Sequence, residues 1–63
     1  MNNALKLRKL YKLTQLDIAA KIDYPKPLYA AFEHEKIMMP QNKIQELADF
    51  YKVSTEYLLN IQK

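Results

Sequence analysis

The sequence lacks cysteine, glycine and tryptophan, and it has a single histidine among its 63 residues. Without cysteine the chain can form neither a disulfide nor a thiolate metal site, and the lone His34 cannot build a metal centre. No stretch approaches the roughly 18 apolar residues of a membrane span, and the first residues lack the apolar run of a signal peptide. Helix packing and self-association remain as sources of stability, and no cofactor or metal is expected.

The absence of glycine affects the ends of the helices. Helices commonly end on a residue in the left-handed backbone region, and glycine is the residue that adopts it without a steric penalty. In this chain the positions at the predicted helix ends are Lys12, Asp23, Glu35 and Lys52. Each of them costs roughly 1 kcal/mol if it adopts the left-handed region.

The chain length and the net charge limit the number of domains and the kinds of partner. A chain of 63 residues has room for one domain, residues 1–63, and a domain this small is only marginally stable alone. The formal net charge is +3, which permits a polyanionic partner without requiring one. The sequence contains no glycine-rich phosphate loop and no nucleophile–base constellation, so we expect no enzymatic activity.

Residues 14–33 carry the most informative pattern. Thr14 is a good N-cap for a helix over residues 15–22, with Ile18 and Ala19 on its inner face. Pro25 then precedes a helix over residues 26–34. Two short helices separated by so short a turn are typical of a helix-turn-helix, and the small Ala19 permits a close crossing. In such motifs the second helix enters the DNA major groove.

Helices are predicted on both sides of this motif. Apolar residues recur at helical spacing over residues 3–11, 41–51 and 55–61, and no strand or repeat is indicated. Ser54 is a plausible N-cap for the last of these helices. The sequence therefore predicts an all-α domain of five helices. Its expected inward side chains are Ala4, Leu7, Leu10, Tyr11, Ile18, Ala19, Ile22, Tyr29, Phe32, Ile44, Leu47, Ala48, Tyr51 and Leu58.

In this register the chain resembles the lambda repressor/Cro-type (XRE) helix-turn-helix family over nearly its whole length. No gap is needed, although Pro40 stands one place later than is usual in the family. The resemblance implies a sequence-specific DNA-binding transcriptional regulator, Cro- or repressor-like, from a bacterium or a phage. The matching residues are Leu7-Arg8, Thr14-Gln15, Ile18-Ala19, Glu33, Pro40, Ala48, Tyr51, Val53-Ser54 and Leu58-Leu59.

The resemblance also implies roles for individual residues. Thr14 and Gln15 would approach the DNA backbone, and the helix over residues 26–34 would lie in the major groove. Arg8 and Glu33 match a structural ion pair, and the C-terminal region would form a dimer contact through Tyr57, Leu59 and Ile61. The DNA-binding residues implied in this way are Thr14, Gln15, Lys26, Pro27, Leu28, Ala30, Ala31 and His34, with Lys36 and Lys43 as further phosphate contacts.

The residues of the second motif helix leave a second interpretation open. Bases are usually read by Arg, Gln, Asn or Ser, whereas the implied groove face offers only Lys26 and His34 for hydrogen bonds. Leu5, Leu10 and Leu16 also stand at positions that are often polar in the family. A protein-interaction module on the same scaffold, such as an antirepressor that binds a related repressor, is therefore the alternative to a DNA-binding regulator.

The expected partners are a double-stranded DNA operator and a second copy of the chain, in a homodimer; a monomer that dimerises only on DNA is the alternative. The expected location is the bacterial cytoplasm, or the host cytoplasm if the protein is phage-encoded. Since the sequence ends soon after the fifth helix, regulation is expected to act through concentration or a partner rather than through a ligand-sensing domain.

Overall fold

The computed structural model describes residues 1–61, in which every regular element is an α-helix. The all-α prediction is confirmed, and each predicted helix end lies within two residues of the observed one. The predicted domain also includes residues 62–63, which lie outside the described residues. The helices are α1 (Ala4–Leu10), α2 (Gln15–Lys21), α3 (Lys26–Glu33), α4 (Gln41–Tyr51) and α5 (Thr55–Leu59).

The core is built from one face of each helix. Twelve of the fourteen side chains predicted to point inward are at most 5% exposed, so most of the predicted core is confirmed. Leu10 was wrongly assigned to the core, because it is 71% exposed at the end of α1. Tyr11 is half-exposed, but its hydroxyl donates a hydrogen bond to the Tyr51 carbonyl at 3.2 Å. Met39, in the α3–α4 connection, is a core residue that the helical pattern did not predict.

The turn between α2 and α3 is closed by backbone hydrogen bonds. The Tyr24 N–H donates to the Ala19 carbonyl at 2.9 Å, and the Asp23 N–H donates to the Ala20 carbonyl at 3.2 Å. Ala19 is 3% exposed, as expected for the small residue at the crossing. The motif predicted over residues 14–33 is therefore present, with α2 and α3 packed against each other.

All four residues predicted at the helix ends adopt the left-handed backbone region. The φ angles of Lys12, Asp23, Glu35 and Lys52 lie between 53° and 62°, and Asn60 at the end of α5 joins them with φ 58°. The chain accepts this steric cost because the turns are fixed by their hydrogen bonds, such as that from the Val53 N–H to the Ala48 carbonyl.

The N-terminal residues connect α3 to α5. The Asn2 side chain donates to the Phe32 carbonyl at 2.9 Å, near the end of α3. Asn3 donates to α5 twice, from its backbone to the Leu58 carbonyl and from its side chain to the Tyr57 carbonyl. These bonds position the end of α3 relative to α5. Within the described residues, no helix is long and apolar enough to cross a membrane.

Candidate nucleic-acid interface

The outer face of α3 is open to solvent. Lys26, Pro27 and Leu28 are exposed, whereas Ala30 and Ala31 are half-buried. Tyr29, Phe32 and Glu33 form the opposite, buried face. The helix begins after Pro25 without a side-chain cap, and Pro27 occupies its first turn, where proline fits because the N–H has no helical partner.

His34 lies just beyond this helix. The sequence predicted a helix over residues 26–34, but α3 ends at Glu33 and His34 is its exposed C-cap residue. Glu35 follows with φ 62°, which turns the chain away from the helix axis. Lys36 comes next and is exposed at the start of the connection to α4. Both predicted contacts are therefore exposed and lie just beyond the C-terminal end of α3.

The start of α2 is fixed by a reciprocal capping box. The Thr14 hydroxyl accepts a hydrogen bond from the Asp17 N–H at 3.1 Å, and the Thr14 N–H donates to the Asp17 carboxylate at 2.9 Å. Hydrogen bonding of the Asp17 carboxylate to Thr14, first of all to the Thr14 N–H, lowers the pKa of Asp17. Thr14 is exposed, so the residue that caps the helix also borders the surface.

Gln15, the first residue of α2, contacts the last residue of α3. Its side-chain amide donates to Glu33 Oε1 at 3.1 Å. This hydrogen bond uses one of the two amide N–H groups of Gln15, and the other N–H and the oxygen remain for an external partner. The bond also places the start of α2 beside the last turn of α3, so the two elements implied in DNA contact are neighbours.

Glu33 is held by Arg8 as well. Arg8 Nε and Nη2 donate to the two carboxylate oxygens at 2.8 Å and 2.9 Å, and Arg8 Nη1 donates to the Leu13 carbonyl at 3.0 Å. The Glu33 side chain is 1% exposed and that of Arg8 is 15% exposed. Burial alone raises the pKa of Glu33, but the hydrogen bonds from Arg8 and Gln15 outweigh it and the pKa is lowered. The ion pair implied for these two residues is present.

Two tyrosine hydroxyls lie near this ion pair. The hydroxyl oxygens of Tyr29 and Tyr51 are buried, and among the described residues neither has a hydrogen-bond partner with good geometry. Burial, together with the negative charge of Glu33, raises the pKa of Tyr29 and raises that of Tyr51 to about 12. Both hydroxyls therefore stay protonated at neutral pH.

Lys43 has an internal role that the sequence did not predict. Its ammonium donates to the Ile22 carbonyl at 2.7 Å and lies 3.1 Å from the Glu46 carboxylate. It thus connects α4 to the end of α2, and at most one of its three N–H groups remains for a phosphate. Lysine three residues before glutamate indicates a helix pair, but nothing in the sequence indicates the bond to Ile22, which depends on the packing of α4 against α2.

The predicted dimer residues differ in exposure. Tyr57 is 42% and Ile61 is 52% exposed, whereas Leu59 is half-buried against the core. Leu59 and Ile61 line a groove of about 370 Å³ between the end of α5 and the connection after α3. Ile61 lies beyond α5, which ends at Leu59 and not at Ile61 as predicted. Elsewhere, Leu10 and Leu16 are 71% and 61% exposed.

Comparisons with known proteins show which family the sequence matches. A model of the helix-turn-helix family matches residues 5–58, which is most of the chain. A curated relative, an uncharacterized HTH-type transcriptional regulator named YobD from Bacillus subtilis (strain 168), is 40% identical over 55 residues. That alignment covers 87% of this chain but 49% of the relative, so the chain spans about half of the relative's length. No solved structure matches the chain.

Proposed function

Because this chain belongs to the lambda repressor/Cro-type helix-turn-helix family of DNA-binding transcriptional regulators, we propose that it is a sequence-specific, repressor-like regulator that places α3 in the major groove. The observation that carries the proposal is the position of α3. An eight-residue helix with a free outer face lies beside the start of α2. An α-helix is about 10–12 Å across with its side chains, which matches the roughly 12 Å width of the major groove.

The neighbouring residues support phosphate contacts. Lys26 and Lys36 are exposed near opposite ends of α3, and the exposed Thr14 and the remaining amide N–H of Gln15 lie at the start of α2. Hydrogen bonds and charges of this kind position a protein on the DNA backbone. Lys43 is the weakest member of the proposed set, because its ammonium is already bonded within the protein.

We further propose that the regulator acts as a homodimer in the cytoplasm of a bacterium or of a phage host, without catalysis. Dimers match operators whose half-sites lie about one helical turn apart. The exposed apolar side chains of Tyr57 and Ile61 support a contact in the C-terminal region. Regulation would follow from occupation of an operator by the dimer.

One observation favours a second candidate function. Leu28 is 42% exposed on a helix face that offers few groups for hydrogen bonds, which also suits contact with another protein. In that case the domain would be an interaction module that binds a related repressor. DNA binding is favoured by the family and by the lysines around the face.

Charge reversal at Lys26 tests the DNA-binding proposal. Duplexes are selected from a random 20-base-pair library, and their dissociation constants are measured by fluorescence anisotropy at 50 and 200 mM salt. For the wild type we expect affinity to fall at least about tenfold between these concentrations, because bound phosphates displace counterions. Lys26→Glu should weaken binding at low salt by about tenfold or more and reduce the salt dependence.

Lys6→Glu is the matched control. Both lysines are exposed in the first turn of a helix, where glutamate is compatible with the helix dipole, so both variants should fold. Lys6→Glu should bind DNA within about threefold of the wild type, since a surface charge away from the contact is screened at these salt concentrations. Salt-insensitive, sequence-blind binding, or equal behaviour of both variants, would contradict the proposal. Tight binding to a related repressor in its place would support the second candidate.

A further inference from the structure

We propose that α3 recognises DNA mainly through the 5-methyl groups of pyrimidines, thymine above all, and not through hydrogen bonds to base edges. This inference rests on the proposed function, and it names the chemical feature of DNA that the same site selects. The observation that carries it is the distribution of polar side chains around α3.

Two of the three polar side chains of α3 are buried away from the groove face. The helix contains three residues that can form side-chain hydrogen bonds, namely Lys26, Tyr29 and Glu33. Tyr29 is 0% exposed, and Glu33 is 4% exposed and paired with Arg8. Lys26 is therefore the one residue within α3 whose side chain can offer a hydrogen bond to the groove, at the first position of the helix.

The outer face of α3 is continuous and aliphatic. Pro27 and Leu28 are exposed, and Ala30 and Ala31 are half-buried behind them. The two alanines have small side chains, so the helix backbone can approach the bases closely. The start of the helix adds few backbone donors, because Pro27 has no N–H and the Tyr29 N–H already donates to the Pro25 carbonyl.

Such a surface matches one chemical feature of the major groove. The thymine C5-methyl group is the apolar group that base pairs present there, and aliphatic side chains pack against it. Burial of one methyl group corresponds to about a fourfold gain in affinity. Two or three such contacts would give a discrimination of roughly 15- to 60-fold if their effects are additive. Lys26 would add a guanine or phosphate contact at one end.

Removal of the methyl groups from the DNA tests this inference. The duplexes selected with thymine are synthesised again with deoxyuridine at the positions protected by the protein, and separately with deoxyuridine in the flanks alone. Uracil keeps every hydrogen-bonding group of thymine. We expect the protected-site substitution to weaken binding by about tenfold or more, and the flank substitution to leave it within about twofold.

A matched pair of variants assigns the effect to α3. Leu28→Ala shortens an exposed side chain, so the variant should fold normally. The factor by which uracil substitution weakens DNA binding should be about fourfold smaller for this variant than for the wild type. Lys26→Gln should weaken binding to the thymine and the uracil duplexes by the same factor, because it removes a charge and no methyl contact. Comparison of the two variants therefore separates the contribution of methyl packing to affinity from the contribution of charge.

A second substitution in the DNA avoids any effect of uracil on duplex flexibility. A C·G pair replaces a protected T·A pair, and the duplex is compared with and without a methyl group at C5 of that cytosine. We expect the 5-methylcytosine duplex to bind several-fold more tightly than the cytosine duplex, since it restores the same methyl group at the same place.

The outcomes separate this inference from the proposed function. Salt-dependent binding of the selected duplexes with equal affinity for thymine and uracil would overturn the methyl recognition and leave the regulator intact. A loss on uracil substitution that is equal in the wild type and in Leu28→Ala would overturn the assignment to the aliphatic face. Failure to select any duplex would overturn the proposed function itself.

Discussion

Each of the two faces of α3 carries groups that are unusual for its position. The inner face carries a carboxylate, Glu33, beside the guanidinium of Arg8 and near the hydroxyls of Tyr29 and Tyr51. The outer face presents mostly aliphatic carbon, with Leu28 42% exposed. An ordinary surface helix buries its apolar stripe and exposes its charges. In α3 the paired charge is inside, and much of the solvent face is apolar.

This difference would separate stability from the proposed recognition within eight residues. A buried charge is tolerated only when it is paired and hydrogen-bonded, so the inner face fixes where α3 lies relative to α1 and α2. The outer face makes no such bonds, and its side chains can change without disturbing the fold. The inner residues should therefore control the free energy of unfolding, and the outer residues should control what the helix binds.

Loss of the buried carboxylate should have the largest effect on stability. In Glu33→Gln the Arg8 guanidinium keeps its largely buried position but loses the opposite charge. We expect the free energy of unfolding to fall by about 3 kcal/mol, because breaking a buried ion pair leaves one charge uncompensated. For a domain of this size that is a large part of the total stability. Urea unfolding followed by circular dichroism measures the change.

Leu28→Ala on the outer face serves as the control for this comparison. Since Leu28 is exposed, its truncation should change the unfolding free energy by at most about 0.5 kcal/mol. If the two variants were equally stable, the assignment of stability to the inner face and recognition to the outer face would be wrong.

Acidic pH should reduce the difference in unfolding free energy between the wild type and Glu33→Gln. The pKa of Glu33 is lowered from 4.5 in the folded protein, so its stabilising contribution is complete above about pH 4.5 and is lost as the pH falls through the lower, folded-state pKa. We expect the gap in unfolding free energy to be constant between pH 6 and 7 and to shrink below about pH 4.5. The lowered pKa of Asp17 affects both proteins alike and cancels in the difference.

Urea titrations of both proteins at several pH values between 3 and 7 provide this measurement. A gap that stays constant down to pH 3, or that widens in acid, would show that the Glu33 charge does not stabilise the fold.

Removal of the buried hydroxyls should have a small effect on the free energy of unfolding. Tyr29→Phe and Tyr51→Phe each delete an oxygen that is buried without a hydrogen-bond partner of good geometry among residues 1–61. We expect each change to leave the unfolding free energy unchanged or to raise it by up to about 1 kcal/mol, because an unsatisfied buried polar group is unfavourable. A loss of more than about 1 kcal/mol in thermal or urea unfolding would instead show that the hydroxyl stabilises Glu33.

Much of the fold could be predicted from the sequence because its signals are local. Thr14 and Asp17 are three residues apart and form the capping box, and Ser54 caps α5 by accepting a hydrogen bond from the Tyr57 N–H. The spacing of Ile44, Leu47 and Tyr51 gave the inner face of α4. Leu10 was assigned wrongly because the apolar period continues to the end of α1, whereas periodicity does not show whether another helix packs there. Met39 was missed because it lies in a connection between helices, where there is no period to follow.

The candidate site was predicted less completely. The residues of the outer face could be named from the resemblance to the family, but the bonds that hold them in place could not. The internal role of Lys43 and the hydrogen bond between Gln15 and Glu33 join residues 21 and 18 positions apart. A lysine or glutamine side chain at these two positions could equally well point into solvent. The residue type alone therefore does not reveal the atom to which the side chain binds.

The sequence by itself determined the helices, their caps, most of the core and the left-handed residues at the helix ends, because these depend on residues within a few positions of one another. Only the tertiary structure decided that Asn2 and Asn3 connect the end of α3 to α5, and that Gln15 binds the same Glu33 carboxylate as Arg8, a pair that the family resemblance had implied. Those contacts join residues 18 to 54 positions apart. They arise only when the packed helices bring these atoms within hydrogen-bond distance.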